Sequence, residues 1–277
     1  MNLENYFISQ FKSNHIGDDG AYISNMKKNN IYSKDAFFEN IHFKRQWLTY
    51  KQISKKAMLV NISDAIAMNA KPKYALLSVA MPSDITKKQM EELADGFKEI
   101  ASLYDIDIIG GDTISNTKLD ITITIISQSD KPLLRKGIKD NYLLAYTGTL
   151  GRSKKELKKL FNLGKIHNKS KFIDIKLRDK FIQNTSRYLA SGMDISDGLF
   201  SDLEKLSKAN KNIGFKFFHK ISKHIGCSGE EYEMLIAFDK RYKKYILRKA
   251  IQTRTPINIF ATAKRINHKN KCKAHHF

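Results

Sequence analysis

Carboxylates placed beside glycines are the residues of this sequence best suited to chemistry. Glycine permits unusual backbone angles and close approach of a ligand, so a carboxylate next to it can point into a binding site. Carboxylate oxygens are hard ligands, which suits Mg²⁺ that is bridged to phosphate groups. Such segments occur at GDDG (residues 17–20), GGD (110–112), GMDISDG (192–198) and GEE (229–231).

Two further aspartates, Asp35 and Asp64, lie in the segments YSKDAFFENIHF and NISDAIAMNAKP. Taken one at a time, a Gly-Asp pair is more often a turn than a ligand site, and Asp64 is equally explained as a polar residue of a helix or loop. Six acidic segments in one chain favour a site for metal and phosphate. Composition and spacing by themselves do not name the reaction.

Other catalytic signatures are absent from the sequence. No G-x-x-x-x-G-K-[ST], G-x-G-x-x-G or G-x-S-x-G pattern occurs, and GTLGRS at 148–153 lacks the lysine and the spacing of a P-loop. The histidines lack H-E-x-x-H spacing, so we expect no zinc site. Because Cys227 and Cys272 stand apart, we predict no disulfide framework and a reducing, cytoplasmic compartment. A thiol at Cys227, near Glu230, is more often buried and inert than nucleophilic.

The net charge of the chain is +21, from 49 lysines and arginines against 28 aspartates and glutamates. Nucleic acid is the first partner that such a charge suggests. The lysines are scattered along nearly the whole chain, however, and zinc-finger, RNP-type and basic-zipper patterns are missing. We therefore interpret the charge as solvated surface and expect no nucleic-acid partner. The positive field should favour a small polyanion such as a nucleotide.

Alternating strand and helix patterns must position these carboxylates. A capping box at Thr86 and Gln89, followed by an apolar face, predicts a helix over 86–104. Alternating isoleucine and threonine predict a half-buried strand over 119–127. Further helices are predicted over 51–69, over 242–251 and after Gly198, and further strands over 74–81, 106–109, 142–147, 233–238 and 256–261.

A length of 277 residues permits one large domain or two ordinary ones. The composition shifts at SQSDKPLLRKG (127–137), so we predict an α/β (α+β) fold with one domain over 1–130 and a second over 131–277. No apolar run approaches the roughly 20 residues that a membrane span needs, and the amino terminus lacks a leader pattern. We therefore expect no membrane partner.

Taken in order, the acidic segments resemble the thiamine-monophosphate kinase family, which shares a superfamily with aminoimidazole ribonucleotide synthetase. NISDAIAMNAKP (61–72) is similar to the family's N-L-S-D-x-A-A-M-G-A-x-P, and GGDT (110–113) is shared across the superfamily. DISDGL (194–199) and SGEEYE (228–233) point more narrowly to the kinase family. With matches also around residues 17–19, 34–35 and 38–43, the resemblance covers nearly the whole chain.

The resemblance implies an amino-terminal α/β domain that forms a homodimer through its sheet, and a shortened carboxy-terminal α+β domain. ATP and several Mg²⁺ ions would lie in the cleft between them. The implied enzyme is a phosphotransferase that converts ATP and thiamine monophosphate to ADP and thiamine diphosphate, the last step of thiamine diphosphate biosynthesis. Phosphoryl transfer depends on positioning and charge neutralisation, so direct in-line transfer without a protein nucleophile is expected.

The same resemblance implies roles for individual residues. His42 and Glu230 match positions that touch the thiamine phosphate. The positions that match nucleotide contacts in the family are Gly111, Asp112, Arg135 and Ser196. The positions that match its magnesium ligands are Asp18, Ser33, Asp35, Asp64, Asp112, Asp194 and Asp197.

Several positions depart from the family pattern. Lys34 replaces a small hydroxyl residue, which leaves only its backbone carbonyl as a ligand, and Asn69 replaces a glycine. Ala274 stands where an aromatic residue usually covers the thiamine ring, which reduces the stacking expected on the substrate. The span from Gly198 to Gly229 is shorter than in the family. None of these changes removes a carboxylate.

Other functions are open at this point. Selenophosphate synthetase is disfavoured because no cysteine precedes Cys227, and the hydrogenase-maturation carbamoyl dehydratase is disfavoured because the chain ends in Phe277. The segments DISDGL and SGEEYE fit the pattern of the purine-pathway enzyme, aminoimidazole ribonucleotide synthetase, less well. From a different class, a basic RNA-associated protein that has lost catalysis would bind nucleic acid in a salt-dependent manner without ATP turnover.

Overall fold

The computed structural model of the chain describes residues 21–23, 29–211 and 213–272. Their contacts divide into two compact units. The first unit comprises the described residues of 22–132 together with 156–177, and the second comprises Ala21, 133–155 and the described residues of 178–272. Division of the protein into domains 1–130 and 131–277 stays a prediction. Within the described ranges, no helix is both long enough and apolar enough to cross a membrane.

The first unit is built on a five-stranded sheet with the strand order β1-β2-β5-β3-β4. β5 pairs antiparallel with β2 and β3, and β4 lies parallel to β3 at one edge. Every second residue of β5 is buried, which confirms the alternation predicted for this strand. The strands are β1 (Ala21–Ile23), β2 (Asn29–Phe38), β3 (Lys71–Pro82), β4 (Asp107–Asn116) and β5 (Asp120–Ser129).

Two helices, α1 (Tyr50–Ala67) and α2 (Lys87–Tyr104), complete the core of this unit. α1 packs against β2, β3 and β5 and is buried over most of its length, and α2 packs against α1. The capping box predicted at Thr86 and Gln89 is confirmed: each residue accepts a hydrogen bond from the backbone N–H of the other. Such boxes satisfy donors that the first turn of a helix leaves unpaired.

Aromatic and cationic contacts hold the segment 156–177 in the first unit. The Lys56 Nζ lies 3.5 Å from the ring centroid of Phe172, and both side chains are buried. Trp47 packs edge-on against Phe161, with the ring centroids 5.1 Å apart. An ammonium group over an aromatic face is stabilised by the quadrupole of the ring. These contacts therefore fix the position of the segment 156–177, which begins within helix α3 (Arg152–Phe161).

The second unit is built on another five-stranded sheet, with the order β7-β9-β6-β10-β8 and antiparallel pairings. Leu199, Leu203 and Leu206 lie in its core, which confirms the helix predicted after Gly198. Its strands are β6 (Leu143–Thr147), β7 (Ser191–Asp194), β8 (Gly214–Phe217), β9 (Met234–Phe238) and β10 (Ile257–Lys264). Its helices are α4 (Asp179–Thr185), α5 (Leu199–Ala209), α6 (Lys223–Gly226) and α7 (Lys243–Gln252), with 3₁₀ turns at Ser186–Tyr188 and Lys240–Tyr242. The helix predicted after Gly198 is α5.

The strand predicted over 106–109 is wrong at its end, whereas the other predicted elements are confirmed within three residues. β4 runs on through Gly110, Gly111 and Asp112 to Asn116 as an exposed edge strand. A Cβ atom at Gly111 would lie 1.6 Å from the carbonyl oxygen of Leu77, so only glycine lets β4 lie this close to β3. Asp112 therefore belongs to a strand rather than to a turn.

The two cysteines are paired, which contradicts the prediction that they stand apart. Cys227 and Cys272 form a disulfide with Cα atoms 5.6 Å apart. They are separated by 45 residues in the sequence, and spacing alone does not reveal such a contact. The pairing removes the argument from cysteine usage for a reducing compartment. It also leaves no free thiol in the part of the chain that the structure describes.

Replacing Cys272 with serine should lower the free energy of unfolding of the oxidised protein by roughly 2–4 kcal/mol, because the cross-link restricts the unfolded chain. Urea unfolding measures the difference. Dithiothreitol should lower the stability of the wild type by a similar amount and leave Cys272→Ser unchanged. Alkylation of both cysteines in the native, unreduced protein would contradict the pairing.

Candidate functional site

In the first unit, Asn61 of α1 connects to the predicted metal residues of β2. Its side-chain oxygen accepts a hydrogen bond from the Asp35 N–H at 2.8 Å, and its carbonyl oxygen accepts one from the Ser33 hydroxyl at 3.5 Å. Its amide nitrogen donates to the Ala57 carbonyl at 2.9 Å, which fixes the orientation of the side chain. Asp64 lies on the same helix, nearly one turn further on. The structure thus joins Ser33 and Asp35 to the turn of α1 that leads to Asp64.

His42 follows β2, and its ring is held by neighbouring residues. Nδ1 accepts a hydrogen bond from the Phe38 N–H at 3.0 Å, and the ring stacks on Phe37 with the centroids 5.6 Å apart. Because Nδ1 accepts, a neutral ring in this position carries its proton on Nε2. His42 is partly exposed, and an Nε2–H donor suits contact with an anionic group.

Asp112 lies on the exposed edge of the first sheet, opposite Ser78 of β3. Its Oδ1 accepts a hydrogen bond from the N–H of Thr113 at 2.8 Å. This contact is local and could be kept by an asparagine side chain. Removing the carboxylate charge of Asp112 should therefore leave the packing of the sheet unchanged.

In the second unit, Asp194 ends β7 and is only 3% exposed. Ser196 and Asp197 follow in the turn before α5. Asp197 is ion-paired with Lys205 at 2.7 Å, and Lys205 also contacts Asp202 at 2.9 Å. Burial by itself would lower the pKa of Lys205, but Asp202 and Asp197 outweigh burial and raise that pKa. The ammonium group therefore stays charged and neutralises part of this acidic turn.

Backbone hydrogen bonds join the DISDG segment to the SGEEYE segment. The N–H groups of Glu230 and Tyr232 donate to the carbonyls of Ser196 and Ile195 at 2.7 and 2.9 Å, and the Ile195 N–H donates to the Glu233 carbonyl at 2.8 Å. Glu230 and Tyr232 have left-handed backbone angles, with φ of 53° and 50°. Such angles are costly outside glycine and persist where surrounding contacts fix them. The fold thus places the predicted nucleotide residue Ser196 beside the predicted substrate residue Glu230.

Glu231 is a buried anchor to which sequence reasoning gave no role. Its Oε1 accepts hydrogen bonds from the Gly151 N–H at 2.8 Å, the Ser153 N–H at 3.2 Å and the Ser228 hydroxyl at 2.6 Å. The residue is 1% exposed, so these donors replace water around the carboxylate. Glu231 therefore ties the SGEEYE segment to the start of α3.

Glu233 is a second buried anchor that sequence reasoning missed. Arg178 donates two hydrogen bonds to its carboxylate, each 2.8 Å long, and the Thr147 hydroxyl donates a third at 2.7 Å. The paired arginine bonds are charge-assisted and fix the geometry of both side chains. Gly148 has φ of 61°, and a Cβ atom there would lie 1.9 Å from Glu233 Oε1. The SGEEYE motif marks Glu233, but nothing local marks Arg178, which is 55 residues away.

Arg135 lies on the loop that leads into the second sheet. Its carbonyl oxygen accepts hydrogen bonds from the Ser191 hydroxyl at 2.7 Å and from the Asn210 side-chain amide at 2.8 Å. These bonds fix the Arg135 backbone between the start of β7 and the end of α5. The role of its guanidinium group in nucleotide binding stays a prediction.

The metal assignments also stay predictions. Asp18 and Ala274 lie outside the described residues. Within the described residues, no three histidine, cysteine, aspartate or glutamate side chains converge as a metal site. The donors that are present still suit Mg²⁺, which usually keeps several waters and binds through one or two carboxylates together with substrate phosphates.

Replacing Glu231 with alanine should lower the free energy of unfolding by roughly 3 kcal/mol or more, because three donors lose a buried, charged acceptor. Glu231→Gln is the matched control, since its amide oxygen keeps an acceptor in place and should cost less. Urea unfolding followed by circular dichroism measures both variants. An alanine variant as stable as the wild type would show that Glu231 is not an anchor.

Comparison with known sequences identifies similar proteins over most of the chain. Residues 17–128 match the sequence profile of "AIR synthase related protein, N-terminal domain". The thiamine-monophosphate kinase of Bacillus subtilis (strain 168) is 35% identical over 208 residues, which span 70% of this chain and 64% of that relative. The thiamine-monophosphate kinase of Buchnera aphidicola subsp. Schizaphis graminum (strain Sg) is 33% identical over 270 residues, which span 84% of this chain and 82% of that relative.

Comparison with solved structures shows the fold. The structure described as "AaThiL complexed with AMPPCP and TMP" matches with a TM-score of 0.88 at 22% identity, over 99% of this chain and 96% of that chain. The predicted mixed α/β fold is therefore confirmed. Because the Buchnera relative is 33% identical over 84% of this chain and 82% of its own length, this chain belongs to the thiamine-monophosphate kinase family.

Proposed function

We propose that this protein transfers the terminal phosphoryl group of ATP to thiamine monophosphate and releases thiamine diphosphate and ADP. The pairing of DISDG with SGEEYE carries the proposal, since it joins a predicted nucleotide position to a predicted substrate position through backbone hydrogen bonds. The relatives support it, because the Bacillus and Buchnera proteins are named for this activity. AaThiL was solved with AMPPCP, an analogue of ATP, and with TMP.

In the second unit, we assign Ser196 and Arg135 to the nucleotide and Glu230 to thiamine monophosphate. The guanidinium group of Arg135 would make charge-assisted hydrogen bonds to a phosphate. The left-handed backbone at Glu230 is held by its N–H bond to the Ser196 carbonyl at 2.7 Å. The residue assigned to the nucleotide and the residue assigned to thiamine monophosphate are therefore joined by a backbone hydrogen bond.

In the first unit, we assign Gly111 and Asp112 to the nucleotide and His42 to the phosphate of thiamine monophosphate. Gly111 is exposed on the edge strand β4, directly before Asp112. The hydrogen bond from the Phe38 N–H to Nδ1 of His42 leaves the donor on Nε2, where it suits a phosphate oxygen.

Mg²⁺ is the metal that fits the proposed donor set. Asp18, Ser33, Asp35, Asp64, Asp112, Asp194 and Asp197 offer only oxygen ligands, and Mg²⁺ prefers oxygen over nitrogen and sulfur. When bound, Mg²⁺ neutralises phosphate charge and orients phosphate oxygens. Lys205 already neutralises Asp197 at 2.7 Å, so this carboxylate is held in position by a cation of the chain itself.

No side chain has to form a covalent intermediate in this reaction. The phosphate of the acceptor is already ionised near neutral pH, so a strong general base is unnecessary. What the chain must provide is alignment of the donor and acceptor phosphates and compensation of their charge. The hydrogen-bonded loops of the second unit and the paired strands of the first unit are suited to alignment because their backbones are fixed.

A coupled assay with purified protein, ATP, Mg²⁺ and thiamine monophosphate tests the proposal. Thiamine diphosphate is separated and measured as its oxidised fluorescent derivative, with thiamine as the control acceptor. Product from the monophosphate and none from thiamine is the expected result. Absence of product at saturating ATP and Mg²⁺ would overturn the proposal.

Asp112→Asn should lower kcat by roughly 100-fold or more, about 3 kcal/mol in activation free energy, because it removes a carboxylate proposed to bind Mg²⁺, the ion that neutralises the phosphate charge. The fold should be kept, since asparagine can still accept the Thr113 N–H bond. Asp107→Asn is the matched control, being an exposed aspartate at the start of the same edge strand. Equal activity of the two variants would contradict the role of Asp112.

We also propose a homodimer formed through the exposed face of the first sheet. Tyr32 and Tyr74 both pair in register with Ile126 of β5 and are 36% and 43% exposed, so they form one row across β2, β5 and β3. Leu76, two residues along β3, is 38% exposed. An apolar row of this kind on a sheet face favours association with a second copy.

Sedimentation velocity at micromolar concentration should show a dimer for the wild type and a monomer for Tyr74→Glu/Leu76→Glu, because two buried charges would oppose the interface. Lys87→Glu/Lys88→Glu on exposed α2 is the control and should remain dimeric. A monomeric wild type would contradict the proposed interface.

We propose a cytoplasmic location, because ATP, the proposed co-substrate, is abundant there. The Cys227–Cys272 disulfide argues in the other direction, since thiols are generally kept reduced in that compartment. Thiol trapping in intact cells before lysis shows whether Cys227 and Cys272 are free thiols, as expected in the cytoplasm, or are joined in a disulfide.

A further inference from the structure

A cluster of tyrosine and basic side chains lies where the 3₁₀ turn before β7 meets α7. We call it the tyrosine–arginine surface. Tyr188 packs against Tyr245 with the ring centroids 4.1 Å apart and against Tyr242 at 5.0 Å. All members are at least partly exposed, and none has been assigned to the proposed catalytic site. They are Arg187, Tyr188, Tyr242, Tyr245, Arg248 and Lys249.

Three cations of this surface converge on a single ring. The guanidinium carbons of Arg187 and Arg248 lie 6.0 and 5.4 Å from the ring centroid of Tyr245, and the Lys249 Nζ lies 5.6 Å from it. Arg187 also donates a hydrogen bond of 3.4 Å to the Tyr245 hydroxyl, and this bond contributes most to lowering the pKa of that hydroxyl. Each cation is stabilised by the aromatic faces.

The three cations repel one another, and no carboxylate among the described residues compensates them. None of Arg187, Arg248 and Lys249 takes part in an ion pair with an aspartate or glutamate of the described chain. The flanking sequence DKRYKK (239–244) adds four more cations, and its single acid, Asp239, is paired with Arg241 at 3.2 Å. Such a field attracts an anion strongly.

The extent of the surface favours a chain of phosphates over a single phosphate. The cations of α7 run from Lys243 to Lys249, so they are spread over roughly 9 Å along the helix axis. Exposed tyrosines and arginines are also the side chains on which unpaired bases stack. A polymer that alternates phosphates with flat rings matches both features.

A membrane surface is a poorer match for the same residues. A helix that binds at a lipid interface must direct a wide apolar face outward into the acyl chains. On α7 the apolar residues Ile246 and Ala250 are 0% and 4% exposed and face the interior of the second unit. Ile251 of the same helix is 79% exposed, but a single exposed isoleucine does not form a wide apolar face.

We propose that the tyrosine–arginine surface binds single-stranded nucleic acid. The proposal differs from the expectation of no nucleic-acid partner, which was drawn from the scattered lysines and stays a prediction. Arg187 and Tyr245 are 58 residues apart in the sequence, so only the fold reveals that their side chains form one surface. The binding is independent of the proposed kinase activity.

Fluorescence anisotropy with a fluorescein-labelled, mixed-sequence 20-nucleotide single-stranded RNA tests the proposal. Arg187→Gln/Arg248→Gln/Lys249→Gln should weaken binding by about tenfold or more and reduce the slope of log K against log salt by about 2, since each lost phosphate contact contributes about 0.7. Lys87→Gln/Lys88→Gln/Lys118→Gln is the control, because it removes the same charge from exposed positions of the first unit.

The control variant should bind within about twofold of the wild type, and both triple variants should keep their circular dichroism spectra and kinase turnover. If the first variant misfolds, Arg248→Gln alone should still reduce the salt slope. Equal losses in the two triple variants would overturn the proposal, because the whole positive field would then bind the RNA. Vesicles containing phosphatidylserine that compete the RNA off at equal phosphate concentration would also overturn it, in favour of a membrane surface.

Discussion

Two buried carboxylates, Glu231 and Glu233, fix the loops on which the second unit's candidate site depends. A carboxylate removed from water costs several kcal/mol unless hydrogen bonds compensate it. Glu231 gains its donors from Gly151, Ser153 and Ser228, and Glu233 gains its donors from Arg178 and Thr147. Segments distant in the sequence therefore have to come together around the SGEEYE segment. Its backbone can then hold the left-handed angles at Glu230 and Tyr232 that an isolated loop would avoid.

The charges around the candidate site also follow from the need to compensate buried carboxylates. The chain carries a net charge of +21, yet its acidic residues include several at buried or half-buried positions of the candidate site. Asp197 and Asp202 share Lys205, and Glu233 is paired with Arg178. The carboxylates near the site are thus partly neutralised by the chain itself, which lowers the repulsion that they would otherwise exert on phosphates. Cations elsewhere, as around Tyr245, have no such partner among the described residues.

Local features of the fold could be predicted from the sequence, whereas contacts between distant residues could not. The capping box at Thr86 and the alternation in β5 depend on neighbours within a few residues, and both predictions are confirmed. The end of the strand predicted at Ile109 is wrong, because glycines usually mark turns but here permit close packing of β4 on Leu77. The Cys227–Cys272 disulfide joins residues that no spacing rule connects.

The same contrast between local features and distant contacts holds for the candidate site. Its motifs can be recognised in the sequence, whereas the residues that fix those motifs in position cannot. Asp35 lies on a strand that pairs with β5 along its whole length, so the position of Asp35 is fixed by regular backbone hydrogen bonds. Glu230 lies on a loop, and its position is fixed by the buried charges of its neighbours. Regular strands tolerate many side chains, but a buried carboxylate tolerates few changes in its donors. Variation at Thr147, Gly148 or Arg178 should therefore affect Glu230 more than comparable variation along β2 affects Asp35, although none of those three residues lies in a recognised motif.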